Sequence, residues 1–235
     1  HIEIQIIGDK FGNIIHLGER ECSIQRRNQK IVEECPSPVM TENERKKICN
    51  LTVEAMNKIK YFNLGTVEYL YKDGNFYFIE MNTRLQVEHT ITEQVYNIDI
   101  VKEQINTSSG KKISVKQNDI KKNGHSIEFR INAENPITLL PSTGIVKTYH
   151  PPGGPGIRID SSLYNGCNIN SFYDGLISKI ISTGNDRMEC IMRLKRALNE
   201  YVIEGVQTNI PILKKILDNN QFINGNFHIN WIDKL

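Results

Sequence analysis

The run from Gly65 to Asn82, GTVEYLYKDGNFYFIEMN, restricts the fold more than any other stretch of the chain. Two segments rich in β-branched and aromatic residues flank Lys72-Asp73-Gly74-Asn75. An Asp-Gly pair between such runs signals a hairpin, because the favoured tight turn needs positive φ at both central residues. The hairpin carries Glu68 on its first strand and Glu80 and Asn82 on its second. Glu80 and Asn82 are two apart and share one face of the sheet. A two-residue loop at Asp73-Gly74 pairs position 68 with 79 and puts the glutamates on opposite faces. A three-residue loop, 73–75, sets Glu68 directly across from Glu80. Opposed carboxylates repel, and a hard divalent cation such as Mg2+ takes oxygen ligands of this kind and shares them with substrate phosphates. A solvated hairpin face with unrelated acids is the plain alternative.

The rest of the chain reads as mixed strands and helices. Residues 2–7 alternate as a strand, Asp9 to Asn13 supply a turn, and Ile14 to Gln25 form its returning partner. QRRNQK then reads as a polar, basic loop. Thr41 and Glu44 make a capping box before Ile48, Leu51, Ala55, Met56 and Ile59, whose spacing predicts a helix over about 42–59. VEHTITEQVYNIDIVKEQI reads as helical in its second half. Gly110 and the polar stretch to Gly124 mark a boundary between subdomains. Beyond it HSIEFRINAE, GIVKTYH, IRIDSSL and LISKIIST read as strands, and Arg187–Leu198 and Ile210–Leu217 as helices. PPGGPG is a turn, since it lacks the GxxxxGK[ST] order and no helix signal follows it. The pattern is α+β.

Composition narrows the function classes. A formal net charge of +2 gives no electrostatic reason for a nucleic-acid or membrane partner. No apolar run approaches the roughly 18–20 residues of a spanning helix. The five cysteines are odd in number and form no CxxC pair, which argues against a disulfide framework or zinc site and suits a reducing cytosol. The chain opens on His1 in a strand, with no start methionine or leader, and reads as a piece of a longer protein.

The segment following the hairpin, EMNTRLQVEHTITE, puts Glu80, Asn82, Arg84, Gln86 and Glu88 at alternating positions. If it stays extended, these five polar groups line one face. A structural surface strand with Ile79, Met81, Leu85 and Val87 buried behind it would show the same pattern.

EMNTRLQVEH resembles the biotin carboxylase signature, a specialised form of the ATP-grasp metal strand. ERECSIQRRNQKIVEECPSP, GTVEYLY, HSIEFRINAENP, FYDGLISKII and GVQTNIPIL resemble further segments of that family, in its order and along the whole chain. The resemblance implies the C-terminal part of an ATP-grasp domain over 1–112 and the biotin carboxylase C-terminal domain over 120–235. It implies Mg2+ (or Mn2+) on Glu68, Glu80 and Asn82, and ATP contacted by His1, Gln25, Asn28, Glu68 and Glu80. Bicarbonate falls to Lys30, Arg84, Gln86 and Val87, with Glu88 as the base that takes its proton. Arg130 is implied as the fixed cation beside biotin. The reaction implied is ATP-dependent carboxylation of biotin through carboxyphosphate, with a biotin carboxyl carrier protein or domain and a carboxyltransferase as partners. Acetyl-CoA carboxylase of fatty acid synthesis is the foremost setting, and the final acceptor (acetyl-CoA, propionyl-CoA, pyruvate or another) stays open. A cytoplasmic homodimer is expected, with Arg158 where a dimer contact falls.

The chain departs from the family at Asn28, where a histidine usually touches the ribose, and at Thr90, where proline is usual. Asp174 is a supporting partner of the site by resemblance, or simply a surface aspartate. Two other readings stand beside this one. A different ATP-grasp ligase, such as a carbamoyl-phosphate synthetase or purine carboxylase, shares the metal hairpin, although QVEH and EFRINAE favour biotin. A non-catalytic assembly fragment is the other, because the upstream nucleotide-binding domain and glycine-rich lid do not precede His1. The isolated piece is therefore expected to be inactive.

Overall fold

The computed structural model describes residues 1–234. The chain forms two compact units, one made of His1–Ser23 with Glu33–Ser126, the other of Ile24–Val32 with Ile127–Leu235.

The first unit is built on an antiparallel sheet of order β5-β4-β1-β2-β3, with β1 Ile2–Gly8, β2 Ile14–Arg26, β3 Gln29–Cys35, β4 Asn63–Lys72 and β5 Asn75–Asn82. Asp9 makes the β1–β2 turn: its Oδ1 accepts from the amides of Phe11 (2.9 Å) and Asn13 (3.0 Å). The sequence HIEIQI decides how β1 is used. Ile2, Ile4 and Ile6 share one face and pack with Ile48, Cys49 and Met56 of helix α1 (Glu42–Lys58) and with Val67 and Tyr69. His1, Glu3 and Gln5 occupy the opposite face. α1 starts where its capping box predicts. Glu44 N donates to Thr41 Oγ1 (3.3 Å), and Glu44 Oε2 accepts from the Thr41 amide (2.8 Å).

Two stretches differ from the sequence reading. QRRNQK is a tight two-residue turn, with Arg27 at φ 51° and Asn28 at φ 62°, so β3 begins at once at Gln29. Twin positive φ values match the twist of the flanking strands and need no longer loop. The segment beyond β5 leaves the sheet at Asn82 and enters helix α2 (His89–Tyr96) early. Asn97 at φ 53° then breaks the chain before α3 (Ile100–Ser108). Residues 83–88 are therefore a loop, and the five alternating polar groups do not lie on one extended strand.

In the second unit the strand order is β2-β3-β6-β11-β9, where β6 is His125–Asn132, β9 Ile157–Ser161 and β11 Leu176–Gly184. Short strands β7 (Gly144–Ile145), β8 (Thr148–His150), β10 (Asn168–Ile169) and β12 (Val202–Glu204) pair as β10–β7 and β12–β8. Helices α4 (Arg187–Glu200), α5 (Ile210–Asp218) and α6 (Asn220–Ile223) follow β11 and β12. Leu194, Leu198, Leu213, Ile216 and Phe222 share one core with Phe129 and Ile131 of β6 and Ile180 of β11. Asn209, fully buried at the start of α5, accepts from the Asn132 amide (2.9 Å) and donates to the Arg130 carbonyl (2.9 Å), fixing the end of β6.

Candidate active site

The register of the first unit aligns a row of charged side chains across four strands. Glu80 of β5 pairs with Glu68 of β4, Glu68 with Glu3 of β1, and Glu3 with Arg20 of β2. Directly opposed residues share a face, so one sheet face carries glutamate, glutamate, glutamate, arginine. The neighbouring row is Asn82, Thr66, Gln5.

The hairpin reaches this alignment by a route the turn alone does not give. Its loop is the two-residue Asp73-Gly74, with Lys72 opposite Asn75 and φ values of 50° and 79°. Pairing continues to Tyr69 opposite Phe78 and then shifts, so that Glu68 faces Glu80 and Ile79 is the extra residue of a bulge. The two-residue loop therefore coexists with the matched faces expected of a metal pair.

Hydrogen bonds tie these residues together. The Asn82 amide donates to Glu68 Oε1 (2.9 Å) and Glu80 Oε1 (3.1 Å), bridging the two carboxylates. Gln86 Nε2 donates to the same Glu68 oxygen (2.7 Å), and His1 Nε2 lies 2.6 Å from Glu68 Oε2. His1, Glu3 and Glu68 could present ligand atoms within 4.8 Å of one another, as could Glu3, Cys22 and Glu88. All but Cys22 offer hard oxygen or imidazole donors. Asn82, by giving its nitrogen to the carboxylates, keeps its oxygen available to a cation. This donor set fits Mg2+.

Arg20 is the residue that the sequence reading passed over. It is fully buried, yet every N–H of its guanidinium has a partner. Nε donates to Glu3 (3.1 Å), Nη1 to Gln5 (2.7 Å) and Thr92 (3.1 Å), and Nη2 to Gln86 Oε1 (2.6 Å) and Thr66 (3.3 Å). Burial alone would push the guanidinium's pKa down, but the carboxylates of Glu3 and Glu88 outweigh it and hold the pKa above its ordinary value. The only sequence signal was three charged residues, Glu19 to Glu21, inside a predicted strand.

The other expected residues are placed as follows. Glu88 ends the loop before α2 and is buried, at 2% exposure, within Arg20's field. Val87 is half-buried beside it. Arg84 is exposed, and its Nη1 donates to the Leu85 carbonyl (3.2 Å), outside the bonded cluster. Gln25, Asn28, Lys30 and Arg130 belong to the second unit. There Lys30 stands half-buried on β3, Arg130 half-buried on β6, and Asn28 at the tip of the β2–β3 turn. Asp174 is exposed in the loop before β11.

Comparison with known proteins agrees along the whole chain. Residues 1–116 match the family described as carbamoyl-phosphate synthase L chain, ATP binding domain, and residues 128–234 match the biotin carboxylase C-terminal domain. A pyruvate carboxylase subunit of Methanothermobacter thermautotrophicus is 52% identical over 100% of this chain and 48% of its own length. The biotin carboxylase of Allochromatium vinosum is 48% identical over 100% of this chain and 52% of its own. A crystal structure of the biotin carboxylase domain dimer of Hydrogenobacter thermophilus 2-oxoglutarate carboxylase, in complex with MgADP, ADP and bicarbonate, superposes with a TM-score of 0.97. It is 46% identical, over 99% of this chain and 52% of that one. The chain thus spans about half the length of the relatives it matches.

Proposed function

Because the chain belongs to the biotin carboxylase family, whose members it matches over their C-terminal half, we propose that it works within a biotin-dependent carboxylase, where ATP and bicarbonate carboxylate biotin through carboxyphosphate. The observation that carries this reading is the aligned row Glu80, Glu68, Glu3 and Arg20, with Gln86 and Glu88 gathered against it.

In this reading Glu68, Glu80 and the Asn82 oxygen hold Mg2+ (or Mn2+), which supplies charge neutralisation for the phosphates of ATP. His1, Gln25 and Asn28 contact the nucleotide. Lys30, Arg84, Gln86 and Val87 hold bicarbonate, and the cations stabilise charge as it develops. Glu88 takes the bicarbonate proton. The bicarbonate oxygen bonds to the γ-phosphorus as the bond to ADP breaks, giving carboxyphosphate. That species splits to CO2 and phosphate, the phosphate takes the ureido proton of biotin, and Arg130 stabilises the enolate-like anion that attacks CO2.

The domain extents follow the same reading: ATP-grasp over 1–112 and the biotin carboxylase C-terminal domain over 120–235. A biotin carboxyl carrier and a carboxyltransferase are the partners of a cytoplasmic homodimer. Acetyl-CoA, in fatty acid synthesis, is the first-ranked final acceptor, with propionyl-CoA, pyruvate or another acceptor as the alternatives. The 235 residues span about half the length of the relatives they match, and this piece by itself is read as inactive.

The test is phosphate release from ATP by the intact carboxylase, with Mg2+ and bicarbonate, with and without free biotin. Release that depends on bicarbonate, rises with biotin and collapses in Glu88→Gln supports the assignment. Release indifferent to biotin but raised by an amine or purine acceptor moves the protein to another ATP-grasp ligase and removes the role given to Arg130.

A further inference from the structure

Gln86 sits between two groups of opposite character. Its Oε1 accepts from Arg20 Nη2 at 2.6 Å, and its Nε2 donates to Glu68 Oε1 at 2.7 Å. A guanidinium only donates and a carboxylate only accepts. An inverted amide would therefore set N–H against N–H and oxygen against oxygen. Glu68 alone leaves the amide free to swing about that single bond, and Arg20 closes the second side. The same guanidinium reaches Thr92 on α2 at 3.1 Å, so it holds the 83–88 loop both within its length and just beyond its end. Arg20 itself cannot drift. It is fully buried, and Glu3, Gln5 and Thr66 fix its remaining donors from β1 and β4.

We propose that Arg20 is the positioning residue of the bicarbonate site. It acts through Gln86: with Oε1 taken by Arg20 and one amide hydrogen by Glu68, the second hydrogen of Nε2 is held as a donor for the anion. Lysine cannot replace it, because an ammonium is a point charge and cannot serve Glu3, Gln5, Thr92, Thr66 and Gln86 from one planar fork.

This inference rests on the carboxylase reading, and steady-state kinetics of the intact carboxylase separate the two. KM for bicarbonate and KM for MgATP are measured for the parent, Arg20→Lys, Gln86→Ala and the double variant, with thermal midpoints recorded alongside. Bicarbonate KM is expected to rise about tenfold or more in Arg20→Lys, the worth of a hydrogen bond to a charged group, while MgATP KM moves less than about threefold. The double variant is expected to match Gln86→Ala, since Arg20 acts through that amide. A purely structural role lowers the midpoint and the active fraction but leaves both KM values in place, which overturns the proposal. Independent, multiplying effects of the two substitutions overturn it as well. If Arg20→Lys does not fold, the milder Thr92→Val, which removes one anchor of Arg20, must still raise bicarbonate KM selectively. A parent enzyme without bicarbonate-dependent ATP cleavage removes the carboxylase reading itself.

Discussion

Glu68 and Glu80 face each other across β4 and β5 even though the turn that joins their strands is only two residues long. The bulge at Ile79 supplies the missing step, and the Asn82 amide bridges the two carboxylates it brings together. A bulge at this point turns an ordinary Asp-Gly hairpin into a pair of directly opposed acids. The repulsion so created is tolerable only with a donor or a cation between them.

That balance predicts a metal-dependent stability. Mg2+ at a hundredfold excess over Kd should stabilise the chain by about 2.7 kcal/mol and so raise its thermal midpoint, and EDTA should reverse the rise. Glu80→Gln should abolish most of this shift. In EDTA the same variant should be as stable as the parent or more so, by up to about 1 kcal/mol, because a like-charge cross-strand pair has gone. A variant that loses stability equally with and without the metal would place Glu80 in a structural role instead.

The hairpin was legible because Asp73 and Gly74 need the left-handed region and leave little choice of turn. Its bulge was not: Ile79 has no local preference for one, and the register shift is decided by what packs around β5. Residues 83–88 and the start of α2 misled for a related reason. Thr90, Ile91 and Thr92 favour strands locally, yet all three are fully buried in a helix, where tertiary packing overrides propensity. Arg20 sits in the middle of three charged residues within a strand, and nothing local to it signals burial. Its burial depends on Glu3, Gln5, Thr66, Gln86 and Thr92, which come from three other elements and one loop far apart in sequence.

Two glycines with positive φ separate backbone strain from steric exclusion. Gly12 at φ 87° has open space where a Cβ would go. At Gly18, φ 66°, a Cβ would lie 1.9 Å from the Tyr96 hydroxyl and 2.6 Å from its ring carbon. Gly12→Ala should cost about 1 kcal/mol through the backbone alone. Gly18→Ala should cost about 2–4 kcal/mol, because overpacking adds to the same strain. Urea denaturation of both variants checks the order, and equal losses would contradict the close packing of Tyr96 on β2.

Glu19 predicts a pH dependence. It is fully buried, its Oε1 takes the Arg45 Nε (2.6 Å) and the Ser37 amide (3.0 Å), and its Oε2 has no hydrogen-bond partner among the described residues. Burial raises its pKa above the ordinary 4.5 more than Arg45 lowers it. The folded state therefore holds this proton more tightly than the unfolded chain. The resulting stability is full below 4.5 and is lost as pH rises through the higher folded value. Glu19→Gln should be less stable overall, having lost the charged pair with Arg45, but should lose less stability than the parent between pH 4.5 and pH 7.5. Unfolding free energies at the two pH values decide it, and an unchanged slope would assign the titration elsewhere.

Asn28 offers the sharpest check on nucleotide binding, because its backbone and its proposed contact make separate demands. At φ 62° beside Arg27 at φ 51°, it must hold a left-handed conformation for the β2–β3 turn to stay two residues long. Asn, Asp and His tolerate that region far better than β-branched residues do. Asn28→His should therefore keep the turn, with a midpoint close to the parent's. If the side chain meets the nucleotide, the larger imidazole should lower KM for ATP in the intact carboxylase by about two- to tenfold, the worth of one ordinary hydrogen bond. Asn28→Val should instead lower the midpoint, because its β-branched side chain resists positive φ, and it should raise KM for ATP only as far as the turn is disturbed. An imidazole that leaves KM for ATP unchanged while the turn stays intact would take position 28 out of the nucleotide site and leave it a purely conformational role.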